Sequence, residues 1–137
     1  MKERIDQLTW QAILHHDDGA VTEFYRLLRE TRRLHTTRCN ACGHTAYPPR
    51  PFCPKCFAEE PSWVDIGDGA TLYAFTTQAR GLRFMAPDVV GVVDLPGVGR
   101  ITSVILGRFD ELRIGQPLRF EPVDVSKDLV VHGFRPV

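Results

Sequence analysis

The sequence has no long apolar segment and no net charge, and each absence excludes a class of protein. Among its 137 residues, 17 Lys and Arg balance 17 Asp and Glu, and no run reaches the ~18 apolar residues of a membrane-spanning helix. The amino terminus, Met1 to Arg4, starts charged and is not followed by the apolar core of a secretory signal. A general nucleic-acid-binding protein is usually basic, because phosphate neutralisation dominates its affinity. We therefore expect a cytoplasmic protein without a membrane span that does not bind nucleic acid generally.

Signatures of catalysis are also absent. Gly97-Val98-Gly99 is too short for a phosphate-binding loop and precedes no helical pattern. Thr102 and Ser103 fall in a predicted strand, and the sequence assigns no base to them. All four cysteines have metal-type spacing, which leaves no thiol nucleophile. The five histidines are scattered: His15, His16, His35, His44 and His132. The sequence predicts a chain that is not an enzyme by itself.

Cysteine is scarce, but its spacing is the most specific feature of the chain. Cys39 and Cys42 form one Cys-x-x-Cys hook, and Cys53 and Cys56 form a second after a short loop. Two facing hooks give a tetrahedral cage of four thiolates, which suits Zn(II) and leaves no position for water or substrate. We predict a structural zinc ion. The alternatives are a rubredoxin-like iron centre and disulfide bonds. Phe57 counts against iron, because it stands where a second glycine would help to expose backbone amides to the sulfurs. The spacing within the hooks counts against disulfides.

Apolar periodicity predicts two amphipathic helices ahead of the cysteines. Apolar residues recur at helical spacing over residues 2–15 and again over residues 19–32. Asp17 and Asp18 precede the second segment and Arg32 lies near its end, an order that suits the helix dipole. We expect these helices to pack on a partner protein as well as on the core of the chain.

The sequence changes character after the cysteines, where short β-type runs follow one another. Their limits are 70–79, 89–95, 100–106, 118–123 and 129–134, with a hairpin turn at 96–99 and one helical turn within 109–114. Five strands without crossover helices predict a small closed barrel, for which the OB-fold is the natural candidate. The predicted fold class is mainly β with two N-terminal α-helices, a rubredoxin-like zinc ribbon and a five-stranded OB-fold barrel. The predicted domains are a helical segment (1–33), the ribbon (34–61) and the barrel (62–137).

The loop between the first two barrel strands is the candidate ligand or partner loop. Arg80 and Arg83 suit phosphates, and Leu82, Phe84 and Met85 suit an apolar group. Loops at the mouth of an OB barrel commonly bind ligands. The alternative is that the loop folds back and Phe84 caps the end of the barrel, and both interpretations stay open.

A series of short motifs occurs in a specific order from about residue 21 onward. These are Phe24-Tyr25 and Leu34, Arg38 to Gly43, Tyr47 to Arg50, Cys53 to Cys56, Trp63, Gly67 to Gly69, and Leu112 to Gly115. In this order and spacing the chain resembles the acyl-CoA-associated proteins that carry a rubredoxin-like zinc ribbon followed by an OB-fold. The resemblance implies a helical N-terminus, a structural zinc and a C-terminal OB barrel.

The resemblance also implies a function in lipid metabolism. Members of that family work beside thiolase-fold enzymes that act on CoA thioesters, including sterol-carrier-type thiolases, acyltransferases and retro-aldolases, and some pair with hydratase-like hot-dog proteins. The family offers no shared catalytic residue in this domain. We therefore expect a non-catalytic accessory subunit that stabilises a thiolase-fold aldolase, thiolase or acyltransferase and contacts the CoA ester. The alternatives are a single-stranded nucleic-acid-binding module, acyl-CoA binding by the isolated chain, and electron transfer through iron.

Overall fold

The computed structural model describes residues 19–78 and 88–137. Two of the predicted features lie outside the described residues. One is the helix predicted over 2–15. The other is the loop that contains Arg80, Leu82, Arg83, Phe84 and Met85.

Helix α1 spans Ala20–Thr31 and confirms the second of the two predicted helices. Phe24 and Leu28, one turn apart, are buried on the same face. Arg32 ends the helix in the left-handed conformation, with φ of 58°, and its N–H donates to the carbonyl of Leu28 at 3.0 Å. Within the described parts of the chain, no helix has both the length and the apolarity to cross a membrane.

The ribbon contains a three-stranded antiparallel sheet of order β2-β1-β3. Its strands are β1 (His35–Arg38), β2 (Thr45–Ala46) and β3 (Ser62–Asp65). Strand β2 ends at Ala46 because the prolines that follow it have no backbone N–H group to donate to a neighbouring strand. Strand β3 pairs with β1 along its whole length although it follows residue 61. The domain limits themselves stay predictions.

The second part of the chain forms a five-stranded sheet that closes on itself. Its strands, in spatial order, are β4 (Thr71–Gln78), β5 (Asp88–Leu95), β6 (Gly99–Ile105), β10 (Gly133–Pro136) and β7 (Leu118–Phe120). Strands β6 and β10 are parallel, and the other neighbouring pairs are antiparallel. Thr71 bridges to Pro117, and the N–H of Leu118 donates to the carbonyl of Ala70 at 2.8 Å, so β7 returns to β4. The predicted barrel is confirmed. Strands β8 (Val123–Asp124) and β9 (Val130–Val131) form a separate two-stranded sheet.

Two predicted connections are also confirmed, and two predicted strands are divided. Residues Phe109–Glu111 form a single turn of 3-10 helix, and the β5–β6 hairpin closes with Leu95 opposite Gly99. The run 118–123 was expected to be one strand, but it forms β7 and the start of β8, with no strand at residues 121 and 122. The run 129–134 was also expected to be one strand. It forms β9, which pairs with β8, and then β10, which pairs with β6 and β7; the break falls at His132, whose carbonyl accepts a side-chain hydrogen bond.

The core fills the barrel and continues under α1. Leu72, Val93 and Phe134 are almost completely buried inside it, and Phe24 and Leu28 of α1 belong to the same cluster. Helix α1 lies against β1 and β9. The helix therefore connects the ribbon sheet with the barrel.

Candidate metal centre and adjoining pocket

The four predicted ligands come together at one point of the ribbon. All four Sγ atoms lie within 4.8 Å of one another, with 3.5 Å between Cys39 and Cys56 and 3.6 Å between Cys42 and Cys53. A disulfide requires about 2.05 Å between sulfurs, so the four cysteines are free thiols. A tetrahedral zinc ion with Zn–S bonds of about 2.3 Å places its sulfurs roughly 3.8 Å apart. The observed cluster fits that donor set, and the disulfide alternative is wrong.

The two hooks have the same backbone geometry. In the first, the N–H of Gly43 donates to the carbonyl of Cys39 at 3.0 Å; in the second, the N–H of Phe57 donates to the carbonyl of Cys53 at 2.9 Å. Gly43 has φ of 78° and Phe57 has φ of 64°, so phenylalanine adopts the left-handed conformation that glycine adopts in the first hook. The missing second glycine does not prevent the turn. The use of Phe57 as evidence against iron therefore fails.

Backbone amides point at the sulfurs of Cys39 and Cys53 and favour the ionised form of these two thiols. The N–H groups of Ala41 and Cys42 donate to Cys39 Sγ at 3.3 and 3.4 Å, and the N–H of Lys55 donates to Cys53 Sγ at 3.4 Å. The two backbone bonds to Cys39, the one from Cys42 foremost, lower the pKa of this thiol to about 6. Because the thiolate is the form that binds metal, the lowered pKa of Cys39 favours binding of a cation between the hooks. All four positions are filled by protein, which suits a structural ion.

Two buried threonines support the ribbon, and the sequence did not identify them. Thr36 and Thr37 are 0% and 3% exposed on β1. The hydroxyl of Thr36 donates to the carbonyl of Ala46, and Thr37 Oγ1 accepts from the N–H of Arg50 at 3.0 Å. These bonds tie the segment that follows the first hook back to β1. Buried polar groups with both partners satisfied hold a small module in one geometry.

A second polar feature lies beside the barrel and brings together residues far apart in the sequence. Ser103 Oγ is 2.7 Å from Nδ1 of His132 and donates to the backbone carbonyl of the same residue at 3.0 Å, across a separation of 29 positions. The sequence assigned no partner to Ser103, and the fold places His132 beside it. Neither residue carries a local motif, so no sequence signal indicated the pair.

The pair borders a cavity of about 300 Å³. Its walls come from α1, from the end of β4, from β5 and β6, and from the β9–β10 junction. The residues that line it include Tyr25, Gln78, Val90, Val104, Val131 and His132. Gln78 is the last described residue before the predicted ligand loop.

Comparisons with known proteins match both parts of the chain. Residues 29–62 match the model of the ChsH2 rubredoxin-like zinc ribbon domain, and residues 63–121 match the model of the ChsH2 C-terminal OB-fold domain. Among solved structures, the chain is similar to an Ltp2-ChsH2(DUF35) aldolase, with 25% identity and a TM-score of 0.78 over 88% of this chain and 97% of that chain. A DUF35-family protein of unknown function from Sulfolobus solfataricus shares the fold, with a TM-score of 0.63 and 17% identity over 98% of each chain.

One curated relative is also similar. The probable enoyl-CoA hydratase alpha subunit of Thermomonospora curvata is 29% identical over 108 residues, which are 77% of this chain and 34% of that protein. The chain thus spans about a third of the length of the curated relative that it matches.

Proposed function

Because this chain belongs to the family that joins a ChsH2 rubredoxin-like zinc ribbon to a ChsH2 C-terminal OB-fold domain, we propose that it is a non-catalytic accessory subunit of an enzyme acting on acyl-CoA thioesters. The similarity to the Ltp2-ChsH2(DUF35) aldolase, which covers 97% of that chain, is the observation that carries the proposal. The name of the curated relative, an enoyl-CoA hydratase subunit, supports the same substrate class.

The partner that we propose is a thiolase-fold enzyme of the sterol-carrier type, working as an aldolase, thiolase or acyltransferase in lipid metabolism. The motif resemblance in the sequence supports this choice, and the aldolase among the similar structures agrees with it. We propose a cytoplasmic location, since four reduced, metal-spaced cysteines suit a reducing compartment. In this assembly the zinc holds the ribbon in shape and takes no part in chemistry.

Exposed aromatic side chains on the ribbon support contact with another protein. Phe52 and Phe57 are 42% and 72% exposed, and their rings stack with centroids 6.4 Å apart. The left-handed backbone at Phe57 costs a residue with a Cβ about 1–2 kcal/mol relative to glycine. A costly, exposed phenylalanine is explained if its ring is covered by a partner, because aromatic residues are enriched at the centre of protein interfaces.

Coexpression tests the proposal directly. The chain is coexpressed with a sterol-carrier-type thiolase-fold enzyme from the same organism, and co-purification and thioester turnover are measured with and without this chain. We expect a stable complex and an enzyme that is inactive or unstable alone. Phe57→Gly should weaken the complex, whereas Phe109→Ala, which changes an exposed aromatic residue of the barrel, is the matched control. A partner that is fully active without this chain would contradict the proposal.

The loop residues remain part of the proposal. Arg80 and Arg83 would contact the phosphates of CoA, and Leu82, Phe84 and Met85 would contact the acyl group or the partner. Calorimetry with CoA thioesters, comparing the wild-type chain with the Arg80→Ala/Arg83→Ala double variant, tests the assignment. If the double variant binds CoA thioesters as tightly as the wild-type chain, Arg80 and Arg83 do not contact CoA, and the alternative in which Phe84 caps the end of the barrel remains.

Single-stranded nucleic-acid binding is the less favoured alternative. Among the described arginines, several already form ion pairs with carboxylates: Arg26, Arg32, Arg33, Arg100, Arg108 and Arg135. Paired guanidinium groups offer little net positive potential to a phosphate backbone. Salt-dependent binding of single strands at micromolar affinity would revive this alternative.

A further inference from the structure

The cavity beside Ser103 and His132 has the size and lining of a small ligand site. Its volume of about 300 Å³ is at the lower end of the ~300–1,000 Å³ typical of ligand pockets. Val90, Val104 and Val131 supply apolar walls, and no charged side chain is among the described residues that line it. Such a cavity suits a short, uncharged, largely aliphatic group.

The hydrogen bonds of His132 determine which ring nitrogen is free. The Ser103 hydroxyl has one proton and contacts both the His132 carbonyl, at 3.0 Å, and Nδ1 of the ring, at 2.7 Å. Both contacts are hydrogen bonds at once only in the arrangement in which the hydroxyl donates to the carbonyl and the ring donates from Nδ1 to Ser103 Oγ, and we adopt that arrangement. Burial lowers the pKa of His132 to about 4, so the ring is neutral near pH 7. In a neutral ring protonated at Nδ1, Nε2 is a hydrogen-bond acceptor.

Neither His132 Nε2 nor the Tyr25 hydroxyl is used within residues 19–78 and 88–137. There His132 forms its hydrogen bonds through Nδ1 and the main-chain carbonyl. Tyr25 packs edge-on against Phe24 with ring centroids 5.1 Å apart, and its hydroxyl forms no hydrogen bond in that part of the chain. Burial raises the pKa of Tyr25, so the hydroxyl keeps its proton and can donate. Partly buried polar groups of this kind normally have partners.

We propose that this cavity binds a neutral aliphatic group that carries a hydroxyl, which donates to His132 Nε2 and accepts from Tyr25. A hydroxyl is both donor and acceptor, whereas a ketone only accepts and a methylene does neither. The two residues therefore discriminate a hydroxylated group from its keto or saturated analogue. Ser103 is a positioning residue, because it holds the His132 tautomer without touching the ligand.

The hydroxyl belongs either to the acyl part of a hydroxyacyl thioester or to a free hydroxylated molecule. The first source rests on the proposed function; the second does not. The probes are 3-hydroxybutyryl-CoA, acetoacetyl-CoA and butyryl-CoA, with 2-butanol as the free alcohol, each titrated into the zinc-loaded chain. Binding is followed by calorimetry and by the 15N signals of the His132 ring.

We expect 3-hydroxybutyryl-CoA to bind at least about fivefold more tightly than either analogue, the ratio that one net hydrogen bond supplies. Its addition should shift the Nε2 signal of His132. Tyr25→Phe should reduce the preference severalfold, and Ser103→Ala should reduce it while moving the ring signals toward the other tautomer. Tyr73→Phe is the matched control, since this exposed tyrosine lies under Arg100 on the barrel surface and should keep the full preference.

Equal affinities for the hydroxylated and saturated thioesters together with no His132 shift on adding 2-butanol, or a thioester preference that Tyr25→Phe leaves intact, would overturn the inference. Binding of 2-butanol with a shift of His132 and no preference among the thioesters would assign the site to a free ligand. These outcomes are independent of the proposed function, which is tested by co-purification and by the activity of the partner.

Discussion

Acid should destabilise this protein through His132, a residue that is neutral in the folded state. Burial lowers its pKa from 6.5 to about 4. Between pH 6.5 and 4, His132 is protonated in the unfolded chain but remains neutral in the folded chain. The free energy of unfolding therefore decreases as the pH falls through this range, and it is unaffected by His132 above neutral pH. At 1.36 kcal/mol per pH unit, the loss is about 2 kcal/mol at pH 5 and about 3 kcal/mol at pH 4. That is a large fraction of the roughly 5–15 kcal/mol that stabilises a typical domain.

The measurement is urea unfolding of the wild type and of His132→Gln at intervals from pH 7.5 to 4.5. The variant should lose stability at neutral pH and then depend less on pH, so that the gap between the two proteins narrows by about 2 kcal/mol at pH 5. Both proteins keep the four cysteines, so acid release of zinc affects both and cancels in the comparison. A parallel pH dependence in wild type and His132→Gln would refute the argument.

Three further predictions concern stability. Chelation of zinc should unfold the ribbon around Cys39 to Cys56 while the barrel keeps its NMR signals, because the ribbon has few large apolar residues; loss of both parts together would contradict this. Gly91→Ala should lower the free energy of unfolding by about 1–3 kcal/mol, because its Cβ would lie 2.6 Å from Ile105 Cγ1; an unchanged urea midpoint would show that Ile105 moves aside. Phe57→Gly should change stability by less than about 1 kcal/mol, since relief of the left-handed strain offsets the added chain entropy; a larger loss would mean that the stack with Phe52 stabilises the ribbon.

The parts of the molecule that depend on short-range geometry were predictable. A Cys-x-x-Cys hook is a local turn, so its spacing alone indicated that the sulfurs of each pair converge. The buried face of α1 repeats every three to four residues, and the strand pattern with its glycine-bearing turns indicated β4 to β7. The order of these motifs also carried the family resemblance, which the matches to both domain models confirm.

Features that depend on long-range contacts were not predictable. The division of the run 129–134 occurs because its two halves pair with different strands, and residue identity does not encode which partner a strand will meet. Phe57 adopts a conformation that its residue type disfavours, because the second hook requires it. Strand β3 joins the ribbon sheet through pairing with β1, although it follows the hooks by several residues.

The sequence by itself determined the metal-ligand set, the single described helix and the succession of barrel strands, because each follows from neighbours within a few residues. Only the tertiary structure decided that Ser103 meets His132, that Tyr25 faces the same cavity, and that this histidine loses its charge. The physical reason is that burial and hydrogen-bond partners are properties of the packed barrel and helix together, and they do not exist in any segment taken alone.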